Sequence, residues 1–247
     1  MASPIIVLFT DFGADDIYVG QIKAALLKEL SPNSIIVDLL HSVPPFKVRA
    51  GAHLLAALQS RFPAGAVFLA VVDPGVGTAR DAVILQADDK WYVGPDNGLL
   101  SVVSARAAKS RAWRIVWRPQ GLSASFHARD LFAPVAAIIA ENNLSDDRIQ
   151  EVEALSVKFG PDDLAEVIYI DHYGNALTGI RAASVARTDA IVVREQRLSY
   201  ARVFAEAAAG GAFWYENSIG LVELAADRAG TARLLGIEVG DKVLVIE

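Results

Sequence analysis

The sequence predicts an α/β protein: a layered N-terminal domain with a central sheet, residues 1–150, and a smaller β-rich C-terminal domain, residues 160–247. Three observations predict it. From Pro4 to about Asn143 short apolar runs alternate with amphipathic stretches, as strands and helices do in turn. The run Ala66 to Val72 is apolar throughout rather than alternating, which suits a strand buried on both faces. Beyond the polar stretch 142–147 the texture changes to strand-like runs separated by glycine or polar turns.

In order, Ile5 to Thr10 reads as a strand and about Asp15 to Leu30 as a helix. Asp15 and Asp16 favour its N-terminus, Val19, Ile22, Leu26 and Leu30 share one face, and Ser31-Pro32-Asn33 stops it. A strand at Ile35 to Leu40 and a helix from about Val48 to Arg61 follow, with Leu55 and Leu58 as core. Strands are expected near Val67 to Val72, Val83 to Gln86, Trp91 to Val93 and Trp113 to Trp117, then a helix from Asp130 to Asn142 with Ile138 and Ile139 inside. Residues 144–163 read as a link, with a turn at Gly160-Pro161-Asp162-Asp163. Strands at Glu166 to Asp171, Ala190 to Arg194, Leu198 to Val203, Phe213 to Glu216 and Lys242 to Ile246 complete the chain.

Composition narrows the function classes. A formal net charge of −6 argues against a general nucleic-acid surface, because neutralising phosphates needs clustered Lys and Arg. The absence of cysteine excludes disulfides, thiolate metal sites and cysteine nucleophiles. The four histidines, His41, His53, His127 and His172, lack the helical spacing of a zinc motif, so no metal is expected. Mean hydropathy is +0.34, yet the apolar runs are too short to span a bilayer, and the excess suits a subunit interface. The N-terminus lacks a basic region before its first strand, so cytoplasmic residence is the expectation.

The most informative segment is Val71-Val72-Asp73-Pro74-Gly75-Val76-Gly77-Thr78-Ala79-Arg80. An apolar strand delivers a carboxylate into a glycine-rich turn that an arginine leaves, and open α/β sheets bind ligands beyond such strand ends. The glycine spacing is close to a dinucleotide fingerprint, but that loop must open a helix, and Asp81 to Gln86 reads as a strand. Taken alone, Asp73 also fits an Asx turn and Arg80 a surface pair with Asp81 or Asp88.

Seven segments occur together: Phe9-Thr10-Asp11-Phe12-Gly13 with Asp15-Asp16, His41-Ser42-Val43, the Asp73 to Arg80 turn, Gly94 to Leu99, Phe126 to Asp130, Asp171 to Asn175, and Asn217-Ser218-Ile219-Gly220. In order and spacing they resemble the S-adenosylmethionine hydroxide adenosyltransferase family, relatives of the fluorinase and chlorinase enzymes. The resemblance implies a β-barrel-like second domain and a homotrimer with substrate between domains of neighbouring subunits. It implies attack of water or hydroxide on the 5′ carbon of S-adenosylmethionine, giving adenosine and L-methionine with no cofactor.

Asp73, Arg80 and His127 match the family's Asp-Arg-His set. One assignment has Arg80 polarise the water, His127 accept its proton and Asp73 orient both, and the sequence leaves open which of the three takes the proton. The resemblance further implies ribose binding by Asp11, methionine binding by Asp15 and Ser218, and adenine contacts from Asn175, Tyr173 and Phe204. Phe46 and Phe126 are walls, and Asp171 and Glu223 further substrate-site candidates. Against the halogenase pattern, Ala128 replaces a halide-binding serine, Asp73 a tyrosine and Ile219 an arginine, and only Ala87-Asp88-Asp89-Lys90 stands where halogenases carry a long insertion. Two other readings are halide alkylation, which these departures disfavour, and a non-catalytic nucleoside or S-adenosylmethionine binding protein. His41, His53 and His172 receive no role, and Arg129 is read as a structural ion pair.

Overall fold

A computed structural model describes residues 3–207, 211–226 and 230–247. Met1 and Ala2, the first residues of the N-terminal segment read above, lie outside them. The chain divides into two compact units, Met1–Pro161 and Asp162–Glu247.

The first unit contains β1 (Ile5–Thr10), α1 (Ile17–Leu27), β2 (Ile35–Leu40), α2 (Val48–Leu58), β3 (Val67–Val71), β4 (Ala82–Ala87), β5 (Lys90–Pro95), α3 (Ser101–Arg106), β6 (Ser110–Ile115), α4 (Ala133–Ala140) and β7 (Ile149–Val152). Its seven-stranded sheet has the order β2-β1-β3-β5-β4-β6-β7. The first four are parallel neighbours, and β4, β6 and β7 run antiparallel to theirs. All five residues of β3 are buried, as its unbroken apolar run requires. Leu69 and Val71 pack with Ile22 and Leu26 of α1 and Val135 and Ile139 of α4. Phe68 points the other way, stacked on Tyr92 with Phe62 at its edge. One strand thus serves two cores.

Several elements differ from the sequence reading, each for a local reason. Asp16 caps α1 by accepting from the Ile17 N–H at 2.6 Å, so Asp15 stays outside the helix. The second helix finishes as a 3₁₀ turn at Gln59–Arg61. The fourth is preceded by a π-helical turn at Ala128–Phe132, with Pro134 in the first turn of α4, where a missing N–H leaves nothing unpaired. The helix α3, six residues long, has no counterpart among the expected elements, and the 144–163 link contains β7, which extends the sheet. Leu55 and Ile139 are buried, whereas Leu58 and Ile138 keep partial exposure.

The second unit comprises β8 (Leu164–Ile170), β9 (Ala176–Arg181), β10 (Ala190–Val193), β11 (Gln196–Leu198), β12 (Ala212–Glu216), β13 (Leu221–Ala226), α5 (Thr231–Leu235) and β14 (Val243–Ile246). The strands form two sheets, β12-β13-β9-β8 and β11-β10-β14, rather than a closed barrel among the described residues. The strand expected from Leu198 to Val203 is confined to Gln196–Leu198, with Tyr200 in an isolated bridge to Trp214. Trp214 is buried among Val167, Ile191, Val222 and Val243, and its indole N–H donates to the Asp189 carbonyl at 3.0 Å. Among the described residues no helix is long and apolar enough to cross a membrane.

Replacing Leu69 by alanine empties the centre of β3 and is expected to lower stability by about 2–5 kcal/mol. Urea unfolding would read this as a lower midpoint at unchanged slope. A change below about 1 kcal/mol would contradict a close-packed core there.

Candidate active site

Because β1 and β3 are parallel neighbours with Thr10 opposite Val71, Asp11 and Asp73 emerge at the same edge of the sheet. The turn after β3 closes on itself, with the Val76 N–H donating to the Asp73 carbonyl at 3.3 Å and the Thr78 N–H to the Gly75 carbonyl at 3.1 Å. Gly77 has φ +78°, and a Cβ there would fall 2.5 Å from the Ala124 carbonyl oxygen. Only glycine lets the turn lie this close to the segment leading to His127.

The turn returns Arg80 to Asp73. Arg80 Nε donates to Asp73 Oδ1 at 2.8 Å and Nη2 donates to Oδ2, a two-pronged pair whose side chains are only 10% and 6% exposed. Arg80 Nη2 also lies 3.3 Å from His127 Nδ1, and its guanidinium sits 5.3 Å from the centre of the Phe132 ring. The surface pairing with Asp81 or Asp88 is not what forms: Arg80 touches Asp81 only through its backbone carbonyl, at 3.2 Å. Arg80 therefore stands between Asp73 and His127, rather than Asp73 holding both.

Burial holds the His127 pKa below its ordinary value of 6.5, the Arg80 charge adds to this, and Asp73 opposes it. Since a guanidinium only donates, His127 Nδ1 turns its lone pair toward Arg80 and the ring proton sits on Nε2. Asn97 supports the strand end: its Nδ2 donates to the Val72 carbonyl at 2.8 Å while its Oδ1 accepts from the Leu99 N–H at 3.2 Å.

Burial raises the pKa of Asp11, and Asp73 adds to the rise against the lowering effect of the Phe46 N–H, 3.4 Å from Asp11 Oδ2. Phe46 has φ +63° and is 74% exposed, so a bulky residue holds a strained conformation at the surface. Asp15 is exposed. Phe126 is 9% exposed and belongs to the core, edge-on to Phe12 and Tyr18 and under the Arg129 guanidinium. Arg129 pairs with Asp130 at 2.6 Å.

In the second unit, Asp171, Tyr173, Asn175, Phe204, Ser218 and Glu223 all line one cavity of about 710 Å³, a volume suited to a small organic ligand. Asp171 accepts from the backbone N–H groups of Tyr173 at 2.9 Å and Asn175 at 2.8 Å and from Asn175 Nδ2 at 3.1 Å. The side-chain Oδ1 of Asn175 thus stays outside that network, while its backbone carbonyl accepts from the Asp171 N–H at 3.0 Å. Gly174, φ +85°, allows the hairpin to turn 2.7 Å from Gly230 measured from where a Cβ would be. Tyr173 is 78% exposed, and Phe204 packs edge-on to Phe213 and Tyr215.

Tyr215 and Asn217 also line this cavity; the sequence marks Asn217 only as part of a matching segment and gives neither residue a role. Tyr215 faces Glu223 across β12 and β13, and its hydroxyl donates to Glu223 Oε1, while Asn217 Nδ2 donates to Oε2 at 2.9 Å. Burial raises the Glu223 pKa, partly offset by these two donors, with Asp171 adding to the rise. Asn217 Oδ1 accepts from the Ile219 and Leu221 N–H groups at 3.1 and 2.9 Å, fixing the turn that carries Ser218. The signal was the strand alternation that pairs residues 215 and 223. Among the described residues no three His, Cys, Asp or Glu side chains converge as a metal-holding group.

The opposed effects on His127 give a signed test by NMR titration. Its midpoint is expected below 6.5, to rise in Arg80→Gln, and to fall further in Asp73→Asn. The same direction of shift in both variants would contradict the arrangement.

The SAM hydroxide adenosyltransferase N-terminal domain matches residues 6–149, and the C-terminal domain of that family matches residues 165–244. A protein of Salinispora arenicola named (R)-S-adenosyl-L-methionine hydrolase is 38% identical over 99% of this chain and 98% of its own length. One of the same name from Thermus thermophilus is 37% identical over 96% of this chain and 97% of its own. Among solved structures, an uncharacterized conserved protein from Thermotoga maritima aligns with a TM-score of 0.87 at 29% identity, covering 98% of this chain and 100% of that one. With both domains matched in order along nearly its whole length, the chain belongs to the SAM hydroxide adenosyltransferase family.

Proposed function

We propose that this protein hydrolyses S-adenosyl-L-methionine, of which its relatives' name specifies the (R) form, to adenosine and L-methionine. The observation that carries the reading is the Asp73–Arg80–His127 cluster: a proton acceptor beside a donor-only guanidinium whose charge a carboxylate balances. At 3.3 Å the Arg80 Nη2–His127 Nδ1 contact leaves no room for a water, so the two part as substrate binds, and the water that enters receives a hydrogen bond from the guanidinium and directs a proton at the imidazole lone pair. Its oxygen bonds to C5′ as the C5′–S bond breaks. The bonding pair leaves on sulfur as a neutral thioether, and His127 takes the proton and later yields it to solvent. No acid is needed for this leaving group, so alignment and proton removal are the protein's task.

Asp11 accepts from the ribose hydroxyls, a role supported by its position at the strand end beside Asp73. Asp15 and Ser218 hold the methionine end, with Ser218 and backbone amides serving the carboxylate where halogenases use an arginine. Asn175 meets the adenine amine with its remaining oxygen, and Tyr173 and Phe204 cover the base. Phe46 walls the site, with Phe126 packed in the core behind it, and Asp171 and Glu223 favour a cationic substrate. The reading requires no metal or organic cofactor. It carries with it a cytoplasmic homotrimer with its site at the subunit interface, supported by the exposure of Phe46 and Tyr173.

The test is incubation with S-adenosylmethionine in oxygen-18 water, with and without EDTA. Labelled oxygen at the 5′ hydroxyl of adenosine, at a rate EDTA leaves unchanged, is expected. Intact bound substrate would instead make the protein a binder. His127→Ala is expected to keep binding and lose turnover by about 10²-fold or more. Because the free imidazole must act, the acid limb of kcat is expected below 6.5, activity being lost as pH falls through the depressed His127 pKa. An acid limb above 6.5 would assign the proton to another group.

A further inference from the structure

We infer that Asp38, His41 and Thr10 form a hydrogen-bond relay that fixes the Asp11 turn, which makes His41 and Thr10 positioning residues for the ribose contact. The inference rests on the reading of Asp11 as the group that accepts from the ribose hydroxyls. His41 follows β2 and Thr10 ends β1, so the two meet at the carboxyl edge of adjacent parallel strands. Thr10 Oγ1 lies 2.8 Å from His41 Nδ1, and His41 Nε2 lies 3.0 Å from Asp38 Oδ1. Lys23 Nζ holds the other oxygen of Asp38 at 2.5 Å.

The direction of each bond follows from what each group can do. Asp38, held low in pKa by Lys23 and His41 against the opposing effect of burial, only accepts, so His41 Nε2 carries the proton. Thr10 Oγ1 accepts from the Phe12 N–H at 3.4 Å. Its own proton then needs an acceptor, which the Nδ1 lone pair supplies. The chain therefore runs from the Lys23 ammonium to the backbone of the residue after Asp11. His41 adds a second grip through its main chain, its carbonyl accepting from the Gly13 N–H at 2.7 Å. Residues on both sides of Asp11 are thus tied to this one histidine.

Carboxylate, imidazole and hydroxyl in this order also describe a nucleophilic triad. Here the hydroxyl is fully buried, with 0% exposure, and is spent on its own turn, so it meets no substrate. His41 itself is 6% exposed. What such a buried network does is hold geometry, and the carboxylate it frames is the one at stake.

Calorimetric binding of adenosine and of 2′,3′-dideoxyadenosine tests the inference without depending on turnover. Wild type is expected to prefer adenosine, since the dideoxy analogue leaves Asp11 unpaired. Thr10→Val removes the hydroxyl at nearly constant shape and is expected to reduce that preference by about tenfold, with Thr10→Ser restoring it. His41→Gln is expected to act as Thr10→Val does, and serves if that variant does not fold. In an Asp11→Ala background Thr10→Val should change the preference no further. A wild type without preference would overturn the reading of Asp11 itself. A wild-type preference that Thr10→Val and His41→Gln leave intact would overturn the relay alone.

Discussion

The Asp73–Arg80 pair is the constraint around which the first unit's candidate site is arranged. Both side chains are almost entirely out of water, where an unpartnered charge costs about 3–5 kcal/mol. The fork geometry satisfies both carboxylate oxygens, and it forms only if the chain reverses within seven residues. That demand explains the glycine-rich turn better than any phosphate cradle does. It also bears on which group takes the proton. With both Asp73 oxygens turned to the guanidinium, the imidazole on the far side of Arg80 is the group the proposed reading assigns to that task.

The sheet supplies the remaining geometry. Three neighbouring parallel strands, β2, β1 and β3, end side by side and deliver His41, Asp11 and Asp73 to one edge. A parallel edge collects side chains from segments far apart in sequence, and the antiparallel strands β4 and β6 then lead the chain away from the turn. The burial and the neighbouring Asp73 that raise the Asp11 pKa make its ionised form costly. A cationic ligand offsets that cost, so the carboxylate and a sulfonium substrate would stabilise each other.

Much of this was legible in the sequence because it rests on local patterns. An unbroken apolar run defines β3, and the strand reading of residues 82–86 removed the dinucleotide alternative. What escaped depends on tertiary partners. The π-helical turn after His127 leaves no periodic signature within one turn, and α3 is too short for its face to show. Asn97 reads as a turn residue until Val72 is seen as its acceptor. Tyr215 reads as core until the hairpin places Glu223 opposite it. Phe126 was read as a wall, and aromatic packing with Phe12 and Tyr18 puts it mainly in the core. The six candidates of the second unit share one cavity because two hairpin turns, the strand β13 and the 3₁₀ turn at Phe204–Glu206 converge there, and short motifs mark hairpin turns well.

On the proposed reading, the preference for water over a halide does not rest on the negative charge of Asp73. That carboxylate is neutralised by Arg80, so the pair presents no net charge to an approaching ion. A halide site needs donors uncompensated by an acceptor, and the Arg80 donors facing Asp73 are already used. What remains is the imidazole, held toward its unprotonated form by burial and by the guanidinium beside it, whose place at Nδ1 an attacking water takes on the proposed reading. A halide brings no proton and gains nothing from the imidazole lone pair. A water molecule must lose a proton to complete its attack, so only water draws on the group that the site goes to such lengths to keep unprotonated. On the proposed reading the choice of nucleophile follows from the charge state of His127, which burial sets first and the Arg80 charge reinforces.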